Sequence, residues 1–382
     1  MRVALTGAGL RAGNVLSILK QAVPETEFVG YVDPSPSHLD MLGADIPRFD
    51  SVATMLGDTR PDLFFVGSPN AFHLEHLRAG LESDVPHIFT EKPVVISMAE
   101  TMELARLLKA HDGVRRVMVG LVLRYSQHML DLRQALAENV LGPIASLEAN
   151  EHIGPYHGSF FMRDWRRHTA LSGGFMLEKC CHDLDLYNMI TGSRPLRVAS
   201  FGGRRSFVPE HAEVSAQEQE ILARKQSTWN AANDPFSADG DIVDFQTAIL
   251  SYESGASLAF HTNINVPDEH RRFCIMGARG MAEGDFLRGF LKITRRDGSV
   301  YADKDYTSND YDQRGSHYGA DHMMIDDIVS FLRQEIRHLP VSITDALEAG
   351  VAALALDEAR RAGSVMDLGE TWSEFDQFGL RD

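Results

Sequence analysis

Cysteine is scarce in this chain: three in 382 residues, two of them the neighbours Cys180 and Cys181. No disulfide framework can be drawn from that number and spacing. Basic charge is short as well, with 37 Lys and Arg against 54 Asp and Glu and a formal net charge of −17, which argues against nucleic acid or an anionic membrane as the principal partner. No apolar run reaches bilayer-spanning length, and the charged, glycine-bearing start Met1-Arg2-Val3-Ala4-Leu5-Thr6-Gly7 does not read as a signal peptide. These shortages lead to the expectation of a reduced, cytoplasmic protein. What remains is an ordinary globular composition, 44% hydrophobic and 24% charged, long enough for two domains that each bury a core.

The first 120 or so residues alternate short β-rich runs with helical patterns. Strands are expected at Arg2–Thr6, Phe28–Val32, Leu63–Val66, His87–Phe89 and Val117–Leu121, and helices near Ala12–Ala22, Ser35–Leu42, Ala71–Gly80 and Met98–His111. That alternation reads as an α/β, doubly wound parallel sheet over residues 1–122. Beyond Gly120 the pattern becomes runs of alternating polarity joined by turn-rich links: Ala145–Ile153, Leu196–Phe201, Ile242–Tyr252, Ala256–Val266, Arg271–Met276, Met281–Phe286 and Phe290–Thr294. These describe an α+β domain over 123–382 with a large, mostly antiparallel sheet packed by helices on one face. Residues 203–240 form a polar insertion with a helix-like segment at Ala212–Lys225, and Asp303–Gly319 a second polar loop that reads as a lid. Two helices close the chain, about His322–Arg337 and Thr344–Ala362.

Gly7-Ala8-Gly9-Leu10-Arg11-Ala12 lies between the first strand and the first helix and matches G-x-G-x-x-A. Glycines there permit a tight turn and close backbone approach to a pyrophosphate, which the helix N-terminus then stabilises. Asp33 ends the second strand at the expected distance, where a carboxylate accepts from the adenosine ribose and repels a 2′-phosphate. NAD is therefore expected over NADP. Ser68-Pro69-Asn70-Ala71-Phe72-His73 and Thr90-Glu91-Lys92-Pro93 fall at the C-terminal ends of other strands, where ligands of open α/β sheets collect. Asn70 as a helix cap, and His73 and Lys92 as solvated side chains, are the plainer readings.

A further helix is expected from Ser172-Gly173-Gly174 to Gly192, with a tight glycine entry and a glycine exit. On it Glu178 and His182 are four apart and Asp185 three further on, so the three share a face. Met176, Leu177, Cys180, Leu184 and Tyr187 occupy the other side and read as core. Two acids and an imidazole on a buried helix are costly unless they face a cavity or find partners. A satisfied internal network and a catalytic face are equally compatible with this helix taken alone.

Taken together, Gly7-Ala8-Gly9-Leu10-Arg11-Ala12, Asp33, Ser68-Pro69-Asn70 with His73, Glu91-Lys92-Pro93, Gly120 leading to Arg124-Tyr125, and Gly173-Gly174 followed by Glu178, His182 and Asp185 resemble the glucose–fructose oxidoreductase/inositol dehydrogenase (Gfo/Idh/MocA) family of nicotinamide-dependent enzymes. The Glu-Lys-Pro triplet is the most specific of these motifs. The resemblance implies a nucleotide domain contacting its cofactor through Gly7, Gly9, Leu10, Ala12, Asp33, Ser68, Asn70, His73, Glu91 and Lys92. It also implies that Lys92, Glu178 and His182 face the substrate beside the nicotinamide, and that the open sheet forms contacts of a homodimer or homotetramer. The chain departs from the family pattern at Glu178, Lys179 and Cys180, where aspartate, an aliphatic residue and glycine are usual.

Hydride transfer from a secondary alcohol needs a group to take the hydroxyl proton and surroundings that tolerate a developing alkoxide. A lysine and an imidazole at one oxygen provide both, and a carboxylate one helical turn away fixes the imidazole. The leading expectation is therefore oxidation or reduction of a carbinol of a sugar, cyclitol or related polyol, with Lys92, His182 and Glu178 catalytic. Arg124, His152, Tyr156, Trp165, Arg166 and Asp185 are the candidates for substrate contact. An NAD-dependent glycosidase that recycles its cofactor uses the same residues, and a dinucleotide-binding regulator keeps only the fold. Metal binding by Cys180, Cys181, His182 and Asp185 is disfavoured because their directions diverge around the helix.

Overall fold

The computed structural model describes residues 1–43, 45–227, 229–307 and 316–381. The chain divides into two compact units, one of residues 1–125, 320–350 and 371–382, the other of 126–319 and 351–370.

The first unit is built on five parallel strands, β1 (Arg2–Thr6), β2 (Glu27–Val32), β3 (Leu63–Val66), β4 (His87–Thr90) and β5 (Val117–Val119), in the order β2-β1-β3-β4-β5. Leu63-Phe64-Phe65-Val66 is buried at every position, as a central strand covered on both faces must be. The strand order reverses between β1 and β3, and the loops after both strands meet there: a Cβ on Gly7 would lie 2.4 Å from the Gly67 carbonyl oxygen. In open α/β sheets this switch point is the ligand crevice.

Helices stand at Leu10–Ala22, His73–Leu81 and Met98–Ala110 close to expectation, but two positions differ. Ser35–Leu42 holds only a single 3₁₀ turn at Leu39–Met41; Pro34 and Pro36 break the helix, and the Asp33 carboxylate takes the Ser35 N–H into a turn at 2.7 Å. The helix instead comes at Val52–Thr59, capped by Ser51, whose hydroxyl accepts from the Thr54 N–H at 3.2 Å.

The first unit is completed from the far end of the chain. The helix Ala320–Leu332 brings Asp321 to Arg11, and Asp345 of the helix Ile343–Ala362 lies 3.4 Å from Arg124.

The second unit carries a nine-stranded sheet. Its strands are β6 (Ile144–His152), β7 (Pro195–Gly203), β8 (Phe245–Tyr252), β9 (Ser257–Asn263), β10 (Arg272–Gly277), β11 (Gly280–Asp285), β12 (Phe290–Arg295), β13 (Val300–Asp305) and the short β14 (Met366–Asp367). The order is β13-β12-β11-β10-β6-β9-β8-β7-β14, antiparallel throughout except for the β6–β9 pair. Alternation sorts the side chains: Leu147, Ala149, Leu258, Phe260, Ala248, Leu250, Phe273 and Ile275 are buried on one face. The opposite face exposes Phe201 at 72% and Ile249 at 59%. Strand β13 and the helices Gln127–Ala137, Pro155–Arg163 and Gly369–Asp376 were not expected. Residues 308–315 of the loop expected at Asp303–Gly319 fall outside the described residues; its first residues belong to β13 and its last to a 3₁₀ turn, Ser316–Gly319.

Candidate active site

In the first unit, the glycine loop has the shape a dinucleotide needs. Gly7 has φ +74° and no room for a side chain, while a Cβ on Gly9 would meet nothing within 4 Å. Gly9 caps the helix Leu10–Ala22 without any side-chain bond, so the first N–H groups of that helix are left to a ligand. Leu10 is exposed and Ala12 buried against the sheet. Asp33 accepts the Ala8 N–H at 2.7 Å, which places its carboxylate beside the loop where a ribose would lie. These residues fit NAD: a tight turn at Gly7, open space at Gly9, a bare helix end and an acid at the second strand.

Ser68 and Asn70 follow β3; the Ser68 hydroxyl meets His76 Nδ1 at 2.9 Å, and Asn70 is buried. Burial, aided by His73, holds His76 down at about 4. His73 is fully enclosed, with Nδ1 2.8 Å from the Pro93 carbonyl oxygen and Nε2 2.8 Å from that of Ser68. Its ring edge is thus engaged by backbone rather than open to a cofactor, and it ties the two ligand loops together. Glu91 is buried and accepts from Arg11 Nε at 2.8 Å; Arg11 also donates to Asp321 at 2.7 Å. Lys92 next to it is half-buried, and its peptide bond to Pro93 is cis. Arg124, expected at the substrate, is buried in this unit with Nη1 donating to the Pro340 carbonyl oxygen at 3.0 Å. With Asp345 as its ion-pair partner, it reads as a structural tie.

In the second unit, the helix Phe175–Thr191 enters and leaves as expected. Gly174 has φ +97° and no space for a Cβ, which would sit 2.4 Å from an Asp357 carboxylate oxygen; Gly192 at φ +61° closes the far end. The helix is buried all round, Glu178, His182 and Asp185 included. Glu178 accepts from Arg166 Nε at 2.8 Å, and Arg166 Nη1 donates to Asp164 at 2.7 Å. The guanidinium lies 4.3 Å from the Trp165 ring centre, and Asp164 takes a further bond from the Ser227 hydroxyl at 2.6 Å. A chain of polar contacts thus runs from the 203–240 insertion to the candidate catalytic helix. Trp229 of the same insertion sits 6.3 Å from Trp165, centre to centre. Tyr156 stands apart, its hydroxyl 3.5 Å from Glu269; burial first, then that carboxylate, push it up to about 12.

Sequence reasoning missed the far side of this helix. Asp183 receives two bonds from Arg271, at 2.8 and 2.6 Å, and Arg271 also meets Glu151, 2.9 Å away. Lys179 turns to the same Glu151 at 3.0 Å, which accounts for the charge at that unusual position. Burial raises the Asp183 carboxyl to about 6 even against Arg271. Burial also works to raise Glu151, but Arg271 and Lys179 outweigh it and hold that carboxyl low. The only sequence signal was a third acid in a helix with no polar face to spare for it.

Also missed was His317. Its ring centre lies 6.0 Å from that of His182. His317 and Tyr318 take φ +61° and +58°, two successive side-chain-bearing residues in the left-handed region, at roughly 1–3 kcal/mol each. Tyr318 stacks on Phe286 at 5.8 Å.

A family model described as "Oxidoreductase family, NAD-binding Rossmann fold" matches residues 1–121, and one described as "GFO/IDH/MocA C-terminal domain" matches 129–283. The chain belongs to the GFO/IDH/MocA oxidoreductase family. As a member it is an oxidoreductase with NAD as its cofactor. YteT of Bacillus subtilis (strain 168), named an oxidoreductase, is 23% identical over 87% of this chain and 88% of its own length. The D-glucoside 3-dehydrogenase of Escherichia coli (strain K12) is 31% identical over 50% of this chain and 54% of its own. The scyllo-inositol dehydrogenase of Lactobacillus casei, solved with bound NAD(H) and scyllo-inositol, matches 96% of this chain and 99% of that one at a TM-score of 0.70 and 18% identity, a likeness of fold. Among the described residues no helix is long and apolar enough to cross a membrane, and no three or more His, Cys, Asp or Glu are grouped to hold a metal.

Proposed function

We propose that this GFO/IDH/MocA protein is an NAD-dependent dehydrogenase acting on one carbinol of a sugar, cyclitol or related polyol. The observation that carries the reading is the enclosure of Glu178 and His182, one turn apart, on a helix that ends in glycine at both termini. An imidazole so placed suits proton transfer at a hydroxyl, and a carboxylate already paired with Arg166 suits orientation rather than proton uptake. NAD held by the Gly7–Ala12 loop supplies the hydride acceptor. His182 takes the hydroxyl proton, Lys92 stabilises the oxygen as it gains charge, and Glu178 fixes the imidazole. Arg166, Trp165 and Asp185 border the substrate; the sugar and inositol dehydrogenases among the relatives support a polyol in that place.

Two further parts of the reading rest on separate observations. Phe201 and Ile249 on the open sheet face support a homodimer or homotetramer formed through it. No disulfide joins Cys180, Cys181 or Cys274, which supports a reducing, cytoplasmic setting.

The test is a panel of sugars, cyclitols, their acids and their glycosides with NAD, following nicotinamide absorbance and product together. Net reduced cofactor with a keto product is the expected result. His182→Ala and Lys92→Ala should each lower turnover at least about 100-fold with NAD still bound. Glycoside cleavage without net reduced cofactor, or a His182→Ala protein with full turnover, would overturn the reading.

A further inference from the structure

We propose that His317 is a proton-relay residue that carries the proton between His182 and solvent. The proposal rests on the reading of His182 as the base. Each oxidation of an alcohol to a carbonyl by NAD releases one proton in addition to the hydride equivalent that the cofactor accepts. That proton leaves the hydroxyl oxygen for a ring nitrogen of His182, and it must reach bulk water before the next turnover. His182 is only 4% exposed, so its own access to water is poor.

His317 is half-buried and so retains some exposure to solvent, and its ring centre stands 6.0 Å from that of His182 at an interplanar angle of 48°. One water molecule or a small ring rotation bridges such a gap. The ordinary value for a histidine, about 6.5, lets an imidazole both accept and release a proton near neutral pH. In the reductive direction the same path runs inward, from solvent to His317 to His182 to the nascent alkoxide.

The backbone supports a placed rather than incidental ring. His317 and Tyr318 both sit in the left-handed region, and Tyr318 is fixed by stacking on Phe286, whose ring also lies 5.9 Å from the Arg271 guanidinium. Arg271 in turn grips Asp183, the residue next to His182. A conformation that disfavours any side chain is therefore braced by Phe286 and, through Arg271 and Asp183, linked to the helix that bears the base.

The left-handed backbone makes His317→Gly the informative variant, since glycine adopts that conformation freely and removes only the imidazole; His317→Asn, which also tolerates it, is the second. The reaction uses the panel member that turns over fastest, at low buffer concentration. His317→Gly should lose about tenfold in kcat, less than the 10²–10⁴-fold expected of a general base itself, and added free imidazole should restore it while leaving His182→Ala unrescued. A readout without substrate is the exchange of the His182 ring N–H with water, followed by NMR. It should slow in both His317 variants and recover with imidazole. Unchanged kcat and unchanged exchange in folded His317→Gly, or a loss that imidazole does not relieve, would overturn the relay. Full turnover by His182→Ala would instead overturn the assignment of the base.

Discussion

Arg166 donates through Nε to the buried Glu178 carboxylate at 2.8 Å while its Nη1 holds Asp164 at 2.7 Å. One guanidinium thus pairs with the acid on the candidate catalytic helix and with a second acid, Asp164. Removing it strands a buried charge. Breaking one side of such a pair costs on the order of 3–5 kcal/mol, so Arg166→Met should lower the thermal midpoint sharply. Arg166→Met combined with Glu178→Gln should recover part of the loss, because one of the two buried carboxylates left without the guanidinium is gone while Asp164 remains. In activity, Glu178→Gln should cost less than His182→Ala, keeping shape and losing only charge. Additive losses in the double variant, measured by thermal unfolding, would show that the pair carries no coupling.

Asp33 accepts two backbone N–H groups, from Ala8 and Ser35, each at 2.7 Å. Its charge is fixed beside the glycine loop and should exclude a 2′-phosphate. Titration calorimetry should show tighter binding of NAD than of NADP, and Asp33→Ser should narrow the difference. Equal affinities in the unmodified protein would contradict this.

His128 lies among Phe286 and Tyr306, and burial lowers it to about 4, with Asp285 acting in the other direction. The folded chain therefore binds fewer protons here than the unfolded chain, whose histidine takes one up near 6.5. Stability from this group is present above about 6.5 and is lost as pH falls toward 4. His76 and His152, both lowered to about 4 chiefly by burial, work in the same direction. Urea midpoints should fall between pH 7 and 5, and His128→Phe should flatten that dependence. A steeper dependence in the variant would refute the assignment.

Phe201 and Ile249 project from the open sheet face, on the neighbouring strands β7 and β8. Light scattering at micromolar concentration should give a dimer or tetramer, and Phe201→Glu with Ile249→Glu should yield a folded monomer. Phe245 shares that face, whereas Leu258 and Phe260, of the same strand-like pattern, are buried on the other. A monomeric unmodified protein would remove the face from consideration.

Much of the architecture was legible because its signals are local. The GxGxxA turn, Asp33 at a strand end and the glycine pair ahead of a periodic helix each need only their near neighbours to be understood. The short helix Val52–Thr59 escaped because eight residues give too little periodicity, and Ser35–Leu42 misled because its apolar residues outvoted two prolines. The partners of the site residues were hidden for a different reason. Arg166 to Glu178, Arg271 to Asp183 and His317 to His182 join residues 12, 88 and 135 positions apart, and nothing in a single sequence records which distant charges meet. The contacts of Arg124 with Pro340 and Asp345 were hidden in the same way, more than 200 positions along the chain.

The return of the chain to its first unit bears on how the protein is made. Residues 1–125 leave the ribosome first, yet Asp321 and Asp345, the partners of Arg11 and Arg124, are translated some 200 to 300 residues later. At roughly 5–20 residues per second, the nascent nucleotide sheet waits tens of seconds for these carboxylates. During that interval the buried Arg124 lacks Asp345 and Arg11 keeps only Glu91 of its two acids, and nonsense or frameshift products ending before residue 320 keep that defect permanently. Such fragments should be recognised as unfinished by proteases and chaperones, although every nucleotide-binding motif in them is intact.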